Sequence, residues 1–151
     1  MKELLKIQIL DFLFHLKNEM GPMQDIEIYL MIQQAQNMQK RAQAPYSKFY
    51  VGAIVQTDCG KTFGGCNIES ASYGLTICAE RVAIFHAIAQ GYTNFSRLVL
   101  ATDTGAYPCG ACRQIIYEYC PKSSIIIATP NKIEYTSNKE LLPHGFSKND
   151  F

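Results

Sequence analysis

Two short strings, Cys78-Ala79-Glu80-Arg81 and Pro108-Cys109-Gly110-Ala111-Cys112-Arg113-Gln114, restrict what this chain can fold into more than any other feature. Each stands where a strand or loop hands over to a helical stretch. Cys109 and Cys112, three apart in a first helical turn, can turn both sulfurs to one side with free backbone N–H groups nearby. A thiolate from Cys78 completes three protein ligands and leaves a fourth tetrahedral position open, the layout of a catalytic rather than a structural zinc site. Taken alone, Cys109 and Cys112 fit a metal pair and a redox pair equally; Cys78 with Glu80 tips the reading to catalytic zinc. Glu80, two residues from a ligand, reads as an acid/base group rather than as a further ligand. His15, His86 and His144 lie too scattered to supply the fourth position.

The zinc reading requires reduced thiols. The apolar stretch from Leu4 to Leu16 is broken by Lys6, Asp11 and His15 and is followed by no small-residue cleavage site, so it is not laid out as a signal peptide. The same charges exclude a membrane span, which needs about 20 nearly uncharged residues. A cytoplasmic chain is therefore expected, in which clustered cysteines bind metal or do thiol chemistry before they form bridges. Cys59, Cys66 and Cys120 join no such cluster and read as packing or turn residues.

Periodicity places the two strings in an α/β framework. Residues 1 to 22 show apolar positions at helical spacings and end at Gly21-Pro22, and a second helical pattern runs from Met23 towards Ala42, before Pro45. Phe49 to Thr57 reads as a strand, Asp58-Cys59-Gly60 as a turn, and Lys61 to Ile68 as the returning partner. Ile77 to Gln90 is helical and closed by Gly91, Arg97 to Thr102 is a buried strand, Cys109 to Tyr119 is a helix stopped before Pro121, and Ile125 to Thr129 is another buried strand. Strands alternating with helices imply an α/β layered fold on a central sheet. At 151 residues the chain suits one core, with 1 to 22 an N-terminal extension and 23 to 151 the domain. Fourteen Lys and Arg against thirteen Asp and Glu, with no run of like charge, lack the basic footprint of a polynucleotide binder and suit a small ligand.

Further along, Ala44-Pro45-Tyr46-Ser47-Lys48-Phe49, Val51-Gly52-Ala53, Gly65-Cys66-Asn67-Ile68-Glu69, Ala71-Ser72-Tyr73-Gly74-Leu75 and Glu140-Leu141-Leu142-Pro143 with Phe146 combine in order with the two cysteine strings. Over Met23 to Phe146 the chain resembles the small-subunit, zinc-dependent cytidine deaminases. The resemblance implies a three-layer α/β/α sandwich around a central mixed sheet and hydrolysis of cytidine and 2′-deoxycytidine to the uracil nucleosides and ammonia, a step of pyrimidine salvage. It implies one Zn²⁺ per subunit on Cys78, Cys109 and Cys112, with Glu80 as proton shuttle. Asn67 and Glu69 are expected at the ribose 3′-hydroxyl, Phe49 and Ala79 against the nucleoside, and Phe146 in a neighbouring subunit's site. The family is typically a homotetramer with sites completed across interfaces.

Three thiolates and one Zn²⁺ sum to −1, so positive helix N-termini and the guanidinium of Arg81 are expected to draw charge off the sulfurs, with Gln114 in support. Glu69 would repel a 3′-phosphate, which favours free nucleosides over nucleic acid polymers. Tyr107 stands where the family more often has a small residue or proline, and Ser70 where Asn is frequent. Two other readings stay open: a deaminase of another aminopyrimidine nucleoside of the blasticidin type, and a zinc-binding protein without catalysis. Residues 1 to 22 lie outside the resemblance, either as an added interface helix or as sequence ahead of a natural start at Met23.

Overall fold

The computed structural model describes residues 22–151, with side chains described from Ile26 onward. The expected helix within 1 to 22 and the nature of that extension lie outside the described residues. The fold divides into two units, Met1–Met31 and Ile32–Phe151. In the first, the described backbone is the opening of helix α1 (Pro22–Gln39), with Pro22 at its first position, where the missing proline N–H is no loss.

The second unit holds the rest of α1 and a five-stranded mixed sheet. Strands β1 (Gly52–Thr57) and β2 (Thr62–Cys66) form an antiparallel hairpin, followed by helix α2 (Ala79–Ala89), β3 (Phe95–Ala101), helix α3 (Gly110–Tyr119), β4 (Ser124–Ala128), β5 (Ile133–Thr136) and the short helix α4 (Asn138–Leu141). The order across the sheet is β2-β1-β3-β4-β5. Among the described strands only β3 and β4 run parallel, joined through α3, because two parallel strands need a crossover of a dozen or more residues.

Adjacent glycines in β2 show how the layers stack. A Cβ on Gly64 would meet the Met38 side chain of α1 at 2.7 Å, and one on Gly65 would meet the Ala83 N and Ala79 O of α2 at 2.4 and 2.5 Å. Successive strand residues face opposite sides, so α1 from Ile32 onward covers one face and α2 the other. Gly52 allows the same approach on the first face, where a Cβ would stand 1.9 Å from Ala35 O. The core between sheet and α2/α3 is built from Ala53, Val55, Leu98, Leu100, Ile125 and Ile127 on the strands against Ala83, Ile84, Ala87 and Ile116 on the helices. Each large side chain buried there is worth about 1.5–3 kcal/mol relative to exposure. The three-layer α/β/α arrangement expected from the sequence is present.

Local chemistry explains the element ends. Gly91, at φ +89°, closes α2 with Tyr92 N–H on Ala87 O at 3.0 Å and Gly91 N–H on Ile88 O at 2.9 Å, a Schellman motif. Helix α1 stops at Gln39, short of Ala42, because Gln43 is drawn into an extended bridge with the 67–69 segment. Strand β1 starts at Gly52, not Phe49: Lys48 adopts φ +57°, its N–H bonds Ala44 O at 3.1 Å, and Ser47 Oγ accepts from Phe49 N–H at 3.0 Å. Among the described residues no helix is long and apolar enough to cross a membrane.

Candidate metal centre and active site

Helices α2 and α3 lie on the same face of the sheet, and their N-termini carry the three cysteines. Cys78 is the N-cap of α2 and Cys109 the N-cap of α3, both extended, while Cys112 sits buried in the first turn of α3. The three sulfurs lie within 4.8 Å of one another, and Cys78 Sγ is 3.7 Å from Cys109 Sγ. Zinc–sulfur bonds of about 2.3 Å in a tetrahedron set sulfurs about 3.8 Å apart, so the donor set fits a zinc ion. The helix N-termini favour thiolate over thiol.

The charges around the trio are graded. Hydrogen bonding from Cys112, helped by Arg81 and Cys109, lowers the Cys78 thiol to about 5, while the same bond and burial push the Cys112 thiol upward. Arg81 Nη2 stands 3.7 Å from Cys78 Sγ and 3.5 Å from Thr76 O. Its Nε is buried and without a partner among the described residues.

Glu80 is buried, only 5% exposed, on the turn of α2 that carries Cys78 at its start. Burial pushes its carboxyl up to about 7, the neighbouring Cys78 charge adds to that, and a hydrogen bond with Cys112 works against it. A carboxyl so held can hold or release a proton near neutral pH beside three sulfurs. Ala79, fully buried, packs its carbonyl under Gly65 and so fixes the height of the α2 N-terminus over the sheet.

Asn67, Glu69 and Phe49 form a second group. Asn67 Nδ2 donates to Phe49 O at 2.7 Å, and its Oδ1 accepts from Val51 N–H at 2.8 Å. Glu69 accepts from the Tyr46 and Ser47 N–H groups at 2.8 and 3.2 Å and from the Ser47 hydroxyl, and the Ser47 hydroxyl above all holds its carboxyl below the usual carboxylate range. Mutual Ile68–Ile77 backbone bonds of 2.9 and 3.0 Å tie this group to the residue preceding Cys78. Phe49 is partly exposed.

Gln114 and Phe146 form a third group. Residues two apart on a helix do not share a face, and Gln114 Nε2 is engaged by Glu118 Oε1 at 2.6 Å and Phe146 O at 2.8 Å. Its observed partners are thus the helix and the C-terminal segment. The Phe146 ring is exposed and packs edge-on against Phe151, centroids 5.2 Å apart. Sequence reasoning missed Arg113, which bonds Pro108 O at 2.7 Å and Leu141 O at 3.0 Å, and Ser47, the partner of Glu69. Their partners are distant in sequence or are backbone atoms, so no local pattern signals them.

Residues 26–128 match the family model for the cytidine and deoxycytidylate deaminase zinc-binding region. A probable cytidine deaminase of Dictyostelium discoideum is 42% identical over 127 residues, covering 82% of this chain and 86% of that one. The cytidine deaminase of Sporosarcina psychrophila is 41% identical, over 83% of this chain and 95% of its own. Among solved structures, the cytidine deaminase of Burkholderia pseudomallei superposes with a TM-score of 0.75 at 41% identity, covering 78% of this chain and 98% of its own. That of Mycobacterium tuberculosis gives 0.66 at 31%, covering 78% and 95%. With the three-cysteine cluster inside the matched region, the chain belongs to the cytidine and deoxycytidylate deaminase family with this zinc-binding region.

Proposed function

We propose that this protein is a zinc-dependent cytidine deaminase that hydrolyses cytidine and 2′-deoxycytidine to uridine and 2′-deoxyuridine plus ammonia, acting in pyrimidine salvage in the cytoplasm. The observation that carries the reading is Glu80, a carboxyl buried two residues after Cys78 in the first turn of α2. A structural metal site has no use for an acid there; hydrolysis of an amine does.

Cys78, Cys109 and Cys112 would hold one zinc ion per subunit, and such an ion would supply the Lewis acidity that brings the ionisation of a water into the neutral range. Glu80 takes a proton from the attacking water and gives one to ring N3, so that C4 becomes electrophilic. It then carries the proton of the new C4 hydroxyl to the departing amine, which leaves as ammonia as the C4 carbonyl forms. General acid/base groups contribute about 10²- to 10⁴-fold, and one group serving each transfer belongs at the upper end. Arg81 draws charge from Cys78 so that three thiolates do not quench the metal's acidity.

Asn67 and Glu69 face the ribose 3′-hydroxyl, Phe49 and Ala79 bound the nucleoside, and Gln114 anchors the segment bearing Phe146. Ionised Glu69 accepts a hydroxyl hydrogen bond and repels a 3′-phosphate, which favours a free nucleoside over a polymer. The assembly is a homotetramer in which Phe146 completes the site of a neighbouring subunit.

The test is ultraviolet absorbance of cytidine, 2′-deoxycytidine, a blasticidin-type nucleoside and a 3′-phosphorylated cytidine with purified protein, with zinc content measured in parallel. Loss of the cytosine band for the first two, with one zinc per chain, supports the assignment. Conversion of the blasticidin-type nucleoside alone would move it to another aminopyrimidine, and bound zinc with no conversion would make the protein a non-catalytic zinc binder.

A further inference from the structure

We infer that Arg113 is the positioning residue that fixes Cys109 for metal binding and couples that ligand to the C-terminal segment. Cys109 is the exposed member of the trio, whereas Cys112 is buried and Cys78 half-buried, so packing alone does not hold its side chain. Arg113 grips both peptide groups that flank it. Its Nε donates to Pro108 O at 2.7 Å, in the peptide before Cys109, and its backbone N–H donates to Cys109 O at 2.9 Å, in the peptide after. With both peptide planes pinned from one residue, φ and ψ of Cys109 are set, and with them the direction of its Cα–Cβ bond.

The other arm of the guanidinium anchors this clamp. Nη1 donates to Leu141 O at 3.0 Å, the terminal carbonyl of α4, which has no partner within its own helix. Leu141 is only 3% exposed and belongs to the core cluster of α2 and α3. The loop carrying Cys109 is therefore referenced to a buried point near the C-terminus. Two carbonyls lie on different nitrogens of one planar fork, an arrangement a lysine ammonium on a flexible stem cannot reproduce. Groups that orient metal ligands in this way typically change metal affinity by about 10- to 100-fold when removed.

The inference rests on Cys109 being a zinc ligand, and the experiment separates the two. Zinc loss from wild type, Arg113→Lys and Arg113→Gln is followed with a chromogenic chelator, and each protein is also loaded with cobalt to record the thiolate-to-cobalt charge-transfer band. Thermal midpoints of all three report folding. Arg113→Lys and Arg113→Gln are expected to release zinc about 10-fold faster or more, with an altered cobalt band even well below their midpoints. Cys59→Ser, at a thiol of the hairpin turn outside the trio, should release zinc at the wild-type rate. Wild-type release and an unchanged band in folded Arg113→Lys would overturn the inference, even if Arg113→Gln fails to fold. A lower midpoint with an unchanged band would also overturn it, since that is a purely structural role. Absence of zinc from wild type would instead defeat the ligand assignment on which it rests.

Discussion

The start of α2 and the loop at the end of β2 each present a carboxylate, and the chain treats the two in opposite ways. Glu80 is buried among sulfurs, where loss of hydration pushes its carboxyl up to about 7. Glu69 stands in solvent reach and is clasped by the Ser47 hydroxyl and the Tyr46 and Ser47 N–H groups, which keep it ionised. Two identical functional groups are thus held in opposite electrostatic settings, which suits the proposed division of work between a proton carrier and a fixed negative charge. Burial raises the first carboxyl, and donated hydrogen bonds lower the second.

The largest expected effect comes from removing the feature that makes the two regions unlike. Cys109→Ala leaves two sulfurs, so zinc content should fall to background and cytidine turnover with it, while Glu69 and its partners stay as they are. Arg81→Ala comes next: turnover should drop about 10-fold or more with zinc still bound, and full wild-type turnover in the zinc-loaded variant would remove Arg81 from the account. Glu69→Gln should act mainly on binding. Charged hydrogen bonds are worth about 1.5–3 kcal/mol, so KM for cytidine should rise about 10-fold or more with kcat changed less. An equal fall in kcat would show that Glu69 works in the transition state as well. Smallest is Cys59→Ser, a thiol on the hairpin turn that bonds Thr57, which should leave zinc content and turnover unchanged and stability within about 0.5 kcal/mol.

The same contrast governs what could be read from the chain alone. The metal end was legible because its residues sit at helical spacings within two short strings, and helix starts are set by local backbone rules. Helix α2 with its Gly91 stop and the buried strands β3 and β4 followed for the same reason, being long apolar runs between breakers. The loop after β2 was legible only in part. Asn67 and Glu69 were singled out through the resemblance, but their grip on the backbone of Phe49, Val51, Tyr46 and Ser47 joins stretches far apart in sequence.

Strand β5 and helix α4 were missed. β5 is a four-residue edge strand whose existence depends on pairing with β4, and α4 is a single turn held by a Ser137–Glu140 capping box. Arg113 was quoted as part of a motif without a role, since both carbonyls its side chain holds are invisible to any pattern of side chains.

The central claim is that Glu80, not the metal site alone, makes this a deaminase. Its most direct test is Glu80→Gln, which keeps the shape of the side chain and removes its ability to carry a proton. Zinc content and the cytidine absorbance change should be measured on the same samples as wild type. Equal zinc in both and turnover lower by about 10²- to 10⁴-fold are expected. Turnover within a few-fold of wild type, with zinc bound, would contradict it.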